Sequence, residues 1–533
     1  MKINILKSFK TTGVLVALLA LGACTDDLNR EPFPVSGLTA ASVYKDAANY
    51  KAFLAKLYAG LATSGQQGPA GQPDIDGLDE GFSQYLRQYW KAQELPTDEA
   101  VIGWNDGSLP DYHDMDWTTG NEFIAAMYNR IFYQISLCNE FIRQSSPEKL
   151  SERGIVGNDA ANIKTYRAEA RFLRALSYYH ALDLFGSVPF VTDIDAIGAF
   201  LPNQISRADL FAFLEKELQE IDADLPAPRS NEYARADKAA AWTLLAKLYL
   251  NAQVYIGQAK FSECIAQCNK IIGAGYALES SYRNLFLADN HRSREIIFPV
   301  AFDGLRTQNY GGTTFLIHAA VGGTMNPAAF GVNGGWWGLR TTKNMVNLFS
   351  DITGATDRRA MFHVDGQKLD ISDIFTFQDG YAVSKYRNVT STGANGSDPR
   401  GEFTDTDFPM FRLADIYLMY AEAVLRGGSG GSSATALQYV NALRTRAFNG
   451  ANTGNVSAIT VDFILDERAR ELYWEGHRRT DLIRYGRFTG ANYLWAFKGG
   501  VKDGRAVPDH LVLFPIPSAD LIANPKLKQN TGY

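Results

Sequence analysis

The stretch Trp242-Thr-Leu-Leu245-Ala246-Lys-Leu-Tyr249 places large residues at 242, 245 and 249 around a small one at 246. Three- and four-residue steps put them on one side of an α-helix, and the small side chain lets a second helix approach closely. Asp237 stands where this helix begins, and Ala259 is expected to open its partner. From about Gln258 that partner carries Phe261, Cys264, Ile265, Cys268, Ile271 and Ile272 on its inner face. Cys264 and Cys268, without a histidine partner, read as small core residues rather than a metal or redox pair. Two earlier helices are expected. One runs from Tyr166 to Leu184, with Phe172, Leu173, Leu176, Tyr179 and Leu184 in one stripe, stopped by Gly186 and Pro189. The other follows Ser206, a hydroxyl cap, and carries Leu210, Phe213, Leu214, Leu218 and Ile221.

The figure returns as Tyr417-x2-Tyr420-Ala421-x2-Val424, with Ala436 in a partner helix beyond a turn from Gly427 to Ser433, and more weakly as Leu173-x2-Leu176-Ser177. This spacing is close to that of tetratricopeptide helical hairpins. Degenerate copies far apart in the chain predict a mainly α fold: a tetratricopeptide-like helical-hairpin scaffold with long inserted loops. Ile296 to Phe302 and Tyr381 to Tyr386 read as its few short strands.

With 46% hydrophobic and 21% charged residues in a chain of 533, a large folded core is expected and disorder is excluded. The 52 basic and 58 acidic side chains give a net charge of −6 without a basic block, so nucleic acid is not an expected partner. Four cysteines cannot frame a disulfide scaffold, and seven scattered histidines lack zinc-site spacing; no metal or cofactor is implied. The 31 Phe, 26 Tyr and 8 Trp are an aromatic excess that calls for a use.

Lys2, Lys7 and Lys10 precede the apolar run Val14 to Leu21, which is too short to span a bilayer and reads as an export signal. The run ends Leu21-Gly22-Ala23-Cys24, which resembles a lipoprotein signal; residues 1–23 are expected to be removed and Cys24 to carry lipid. Residues 24–40, with Asp26 and Asp27 after the cysteine, read as a lipidated tether of surface-export type. Residues 41–275 would form an N-terminal helical repeat region, and 276–533 a C-terminal region with a further repeat.

Several stretches together resemble the RagB/SusD family of cell-surface glycan-binding lipoproteins. They are Arg167-Ala-Glu-Ala-Arg171-Phe-Leu-Arg-Ala-Leu176 leading to Asp183-Leu-Phe-Gly186, Arg235-Ala-Asp-Lys-Ala239, and Phe411-Arg-Leu-Ala-Asp415-Ile-Tyr417. Glu467-Arg-Ala-Arg-Glu471-Leu-Tyr-Trp-Glu475-Gly-His-Arg-Arg-Thr-Asp481-Leu482, Phe514-Pro-Ile-Pro517, Asn524-Pro525 and Gln529-Asn-Thr-Gly532-Tyr533 complete the set. The resemblance runs from Cys24 to the last residue. It implies no enzymatic activity, attachment to the outer membrane through lipid on Cys24, exposure at the cell surface, and a TonB-dependent outer-membrane transporter as partner. The charges of Glu467 to Arg484 fall at helical steps and are read as helix-surface and inter-helix ion pairs.

A sugar offers C–H faces to flat aromatics and hydroxyls to planar polar groups. Two segments read as loops of that character: Gly81 to Asp116, with Arg87, Leu95-Pro-Thr-Asp-Glu99 and Trp104-Asn-Asp-Gly107, and Thr307 to Trp337, with Asn309-Tyr310-Gly-Gly and Asn333-Gly-Gly-Trp336-Trp337. Their resemblance to a starch-binding member of the family implies an aromatic arc of Trp104, Tyr310 and Trp336 flanked by Arg87, and an α-glucan as ligand. An asparagine contact of that member falls near Gly107, where Asn105 is the nearest substitute. Trp337 is read as the packed neighbour of Trp336. The rival readings are a receptor for another glycan, a structural or peptide-binding surface lipoprotein, and a glycosidase using Asp98 with Glu99, or Asp74, Asp76, Asp79 and Glu80.

Overall fold

The computed structural model describes residues 40–70, 72–196, 198 and 200–533; Cys24 and the leader expected before it lie outside them. The chain divides at Asn49/Tyr50. The first unit, where described, contains the short helix Ala40–Val43 and the first two residues of the helix Ala48–Ala62; everything else below concerns the second. The longer helices are α1 (Ala48–Ala62), α2 (Tyr85–Glu94), α3 (Glu122–Gln144), α4 (Gly157–Leu184), α5 (Arg207–Glu220) and α6 (Lys238–Leu250). They continue with α7 (Phe261–Ile272), α8 (Gly312–Ala320), α9 (Leu413–Leu425), α10 (Ser433–Ala447), α11 (Val461–Leu472) and α12 (Arg478–Arg484). Four strands matter here: β1 (Val101–Ile102), β2 (Ile296–Val300), β3 (Leu339–Arg340) and β4 (Phe408–Arg412).

Side-chain caps start the helices where polar residues meet apolar stripes. Asn121 accepts from the amides of Phe123 and Ile124, Ser206 from Asp209, and Asp237 from Ala239 and Ala240. Helix α3 packs on α4, α6 on α7, and α9 on α10; α7 in turn packs on α9, so hairpins far apart in sequence stack into one scaffold. Ala246, Ala421 and Ala436 are fully buried, as the repeat pattern requires, and so are Cys264 and Cys268. Ala259 instead lies exposed in the turn before α7. Helix α4 begins at Gly157 rather than Tyr166, because its first turns face solvent and leave only Ile163 buried, which gives them no apolar stripe. β2 pairs antiparallel with β4, Ile296 opposite Arg412, and β4 runs directly into α9. Tyr381 to Tyr386 contributes only Ala382–Val383, paired with Phe362–His363.

The charges of Glu467 to Arg484 form the expected inter-helix pairs, but most lie in the core rather than on helix surfaces and join elements across the fold. Arg412 donates to Glu295 at 2.8 Å, Glu471 at 2.7 Å and Glu475 at 2.6 Å. Arg446 reaches Glu471 at 2.5 Å, and Arg359 reaches Glu467 at 2.7 Å. Arg468 joins Asp415 to Asp481, each at 2.7 Å, and Arg484 joins Asp481 to Glu422, again at 2.7 Å. Burial alone would raise these carboxyls, but the arginines outweigh it and hold Glu467, Glu471 and Asp481 at about 2. A buried pair adds little over an apolar replacement, yet removing one member leaves the others charged and unpaired.

Glu471→Gln is therefore expected to lower folding stability by about 3–5 kcal/mol in chemical denaturation, whereas Glu152→Gln, breaking the exposed pair with Lys149, should leave it unchanged. Carboxyls depressed in the folded state contribute stability above their unfolded values of about 4, and lose it as pH falls toward about 2. The melting temperature should drop across that window; a flat profile there would contradict the assignment.

Candidate binding site

Segment 81–116 is not a continuous loop. It opens into α2, which is almost wholly buried because Tyr85, Leu86, Tyr89 and Trp90 turn into the core, and continues through β1 to a short helix at Asp111–Asp114. Gln84 caps α2: its Oε1 accepts from the Arg87 amide at 2.7 Å and from the Gly312 amide at 3.0 Å, while its Nε2 donates to Leu61 O of α1. One buried amide thus ties α1, α2 and the start of α8. Arg87 leaves α2 half-buried, and its Nη1 donates to Gly81 O at 3.1 Å and Tyr310 O at 2.8 Å. The guanidinium lies 4.4 Å from the ring centre of Phe315 and 5.9 Å from that of Trp104. Burial pushes it down to about 10, against the opposing pull of Asp106 and Asp79, so it stays charged at neutral pH.

The run Leu95 to Glu99 then anchors the chain. Asp98 holds Arg478 of α12 at 2.6 and 2.7 Å and accepts from the Tyr493 hydroxyl. Glu99 accepts from the Trp474 amide, and Glu94 from the amides of Gly476 and His477. Burial lifts Glu94 to about 7 and Glu99, beside it, well above the usual range. Such a pair of carboxyls has the chemistry of a glycosidase acid and base, but both are buried and occupied by backbone donors, with no surface for a sugar ring. Of the other acids weighed for catalysis, Asp74 pairs with Lys56, Asp79 accepts from the Phe82 amide and Glu80 is buried, while Asp76 stands exposed.

From that anchor β1 pairs with β3, Val101 opposite Arg340 and Ile102 opposite Leu339, which sets Trp104 beside the Trp336 segment. Trp104 Nε1 donates to Trp336 O at 3.0 Å. The backbone of residues 336–338 hangs on the end of α8, with the amides of Trp336, Trp337 and Gly338 donating to His318 O, Val321 O and Ala319 O. Two glycines are needed for this approach. A Cβ at 335 would stand 2.1 Å from Val321 O, and one at 338 would stand 2.6 Å from the Trp104 ring.

The result is a run of three half-buried rings. Trp104 and Trp336 have centroids 6.4 Å apart, and Trp336 and Tyr310 6.1 Å apart. One face of Trp336 rests on His318, with centroids 4.7 Å apart and planes 19° from parallel. The His318 ring nitrogens face Gly334 O at 2.7 Å and Glu402 O at 3.0 Å, and burial keeps its pKa below the ordinary value. Tyr310 donates its hydroxyl to Glu402 at 2.8 Å, a bond that raises its pKa, and tilts against Phe403 at 5.7 Å. Three aromatic faces and a charged guanidinium suit a ligand with flat C–H faces and hydroxyls.

The structure thus brings Arg87, Trp104, Tyr310 and Trp336 together, with Asn105 exposed next to Trp104. Trp337 differs from expectation: it is 49% exposed, adopts φ of 56°, and rests on Phe377 at 5.7 Å instead of packing against Trp336. Sequence reasoning missed His318, Glu402, Phe315 and Gln84, which support the rings. The only signal for them was position, since each needs the folded chain to reach its partner.

A profile of the SusD family matches residues 364–533. The chain is 34% identical to the starch-binding protein SusD of Bacteroides thetaiotaomicron, over 98% of each chain. It is 25% identical to SusD-like protein P2 of Formosa agariphila, over 99% of this chain and all of that one. Among solved structures, surface glycan-binding protein A from Bacteroides fluxus superposes with a TM-score of 0.71 at 21% identity, covering 91% of this chain and 99% of that one. The same-named protein from Bacteroides thetaiotaomicron, in complex with laminarihexaose, gives 0.67 at 20% identity over the same shares.

The seat of Trp104 is open to test without any ligand. Gly338→Ala should displace that ring and change the near-ultraviolet circular dichroism, which reports aromatic packing, while the helical far-ultraviolet spectrum stays the same. An unchanged near-ultraviolet spectrum would mean that position 338 does not seat Trp104.

Proposed function

The chain belongs to the SusD family, and on that premise we propose that it is a cell-surface lipoprotein that binds an α-glucan on the arc of Trp104, Trp336 and Tyr310. The observation that carries the reading is the continuity of the three rings beside Arg87. Arg87, Asn105 and the Tyr310 hydroxyl would meet sugar hydroxyls at the rim. Starch is favoured over a β-glucan because the starch-binding relative shares 34% of residues over nearly the whole length, whereas the laminarihexaose-bound neighbour shares 20% and supports the fold alone. The site would bind and release without chemistry.

Three rings each covering about 50 Å² of apolar sugar surface contribute roughly 3–4 kcal/mol, and a few rim hydrogen bonds add about 1 kcal/mol each. Set against the cost of ordering a flexible polymer, the dissociation constant comes out on the order of 0.1–1 mM. Weak binding suits a receptor that hands its cargo onward, here to a TonB-dependent outer-membrane transporter. Lipid on Cys24 would hold the protein at that membrane, and no helix among the described residues is long and apolar enough to cross one.

Calorimetric titration with maltoheptaose, beside laminarihexaose, tests the reading. Trp336→Ala should weaken maltoheptaose binding at least about tenfold, or 1.4 kcal/mol. Its cost to stability should stay below the roughly 3–5 kcal/mol expected for a fully buried aromatic such as Trp474. Prolonged incubation should leave the glucan's chain length unchanged; shortened products would overturn the binding-only reading, and preference for laminarihexaose would overturn the choice of sugar. Cys24→Ala should abolish incorporation of a radioactive fatty acid, and persistence of the label would contradict the anchor. Mild detergent extraction of a tagged chain should recover a TonB-dependent barrel, and its absence would count against delivery.

A further inference from the structure

Away from the aromatic arc, a cleft of about 350 Å³ opens between the segments around Ser281, Arg358 and the end of α10. Arg283, Arg358 and Arg446 line it together with Ser280, Ser281, Thr353 and Asn449, and no carboxylate does. Most buried arginines of this chain meet a carboxylate, as Arg359, Arg412 and Arg468 do, whereas Arg283 and Arg358 stand at the exposed lip of the cleft beside the buried Arg446. Among the described residues no carboxylate pairs with Arg283 or Arg358, and Arg358 reaches only Gly354 O at 3.3 Å. Acids close in sequence to the cleft residues are already engaged: Asp357 by Arg359, Asp351 by Thr353 and Thr356, and Glu279 by Ser280 and Asn284. Arg446 spends its terminal nitrogens on Glu295 and Glu471, but its Nε is buried without a partner. Burial depresses the Arg283 guanidinium, and the charge of Arg358 adds to the effect; Arg387, pushed down to about 10 by burial, is disfavoured further by Arg283. Like charges left facing one another in this way cost stability unless an anion comes between them.

We propose that this cleft is an oxyanion subsite, which takes the sulfate ester or carboxylate of a charged sugar between Arg283 and Arg358. Guanidinium forks match the geometry of such groups, and the serine and threonine hydroxyls and the Asn449 amide supply neutral donors around them. The volume is at the small end of ligand pockets and suits one sugar residue rather than a polymer. The subsite is separate from the aromatic arc in both residues and chemistry, so it stands or falls independently of α-glucan binding.

The test is calorimetric titration of the full chain at low ionic strength with three probes: sodium sulfate, sodium glucuronate and neutral glucose. Sulfate or glucuronate should bind while glucose does not, and rising salt should weaken the binding. The Arg283→Ala/Arg358→Ala variant should lose roughly tenfold or more in anion affinity and keep its maltoheptaose affinity. The single variant Arg358→Glu serves as a second reading should the double variant misfold. Tighter binding of glucuronate than of sulfate identifies a sugar-borne anion, and equal binding a free one; both support the subsite. No binding of either anion at about 10 mM, or binding unchanged in both variants, overturns it.

Discussion

The guanidinium of Arg412 joins more carboxylates from distant parts of the sequence than a single helix contact could, and the C-terminal scaffold is built around it. It sits at the junction of β4 and α9 and is bound at once by Glu295, Glu471 and Glu475, so a strand, a helix and the segment leading to α12 share one buried charge. Through Glu471 it is linked to Arg446 and Arg359, and through Glu475 to Lys385, whose amine burial lowers to about 8. Arg468 and Arg484 carry a second set of pairs to α9. A charge set of this kind specifies geometry more than it adds stability, because each carboxylate must be met from a fixed direction.

That geometry is what reaches the arc. The segment Tyr473 to Arg478, fixed by Glu475, offers backbone donors to Glu94 and Glu99 and a guanidinium to Asp98. Those three acids define where the chain leaves α2, and five residues after Glu99 comes Trp104. On the other side, the end of α8 presents carbonyls that hold residues 336–338, and Gly335 and Gly338 permit the contact. The rings are therefore preorganised by two rigid supports, and little ordering of the protein is left for a ligand to bring about.

The scaffold was legible where local rules govern. The Trp242 and Tyr417 repeats, the cap at Ser206, the helix start after Asp237 and the strand at Ile296 all follow from spacing within a few residues. Helix α2 was not, since its polar side chains Gln88, Lys91, Gln93 and Glu94 are buried along with its apolar ones, and a polar-rich stretch of this kind reads as an exposed segment. For the Glu467 to Arg484 run the inter-helix ion pairs were read correctly and their burial was not, since charges at helical steps look the same whether they meet solvent or one another. At the site, glycines beside aromatics pointed to Tyr310 and Trp336, and the family resemblance pointed to Arg87 and Trp104. Trp337 was misjudged because its left-handed backbone turns the ring away from its neighbour, which no pattern of residues announces. His318 and Glu402, 16 and 92 residues from the groups they hold, could be found only in three dimensions.

On the proposed reading, a glucan lies across three rings held in place by a buried charge network. The most direct measurement is a crystal structure of this protein soaked in maltoheptaose. Sugar density is expected to stack on Trp336 and continue to Trp104 and Tyr310, with Arg87 within hydrogen-bonding reach of a sugar hydroxyl. Density bound elsewhere while these rings remain bare would contradict that reading.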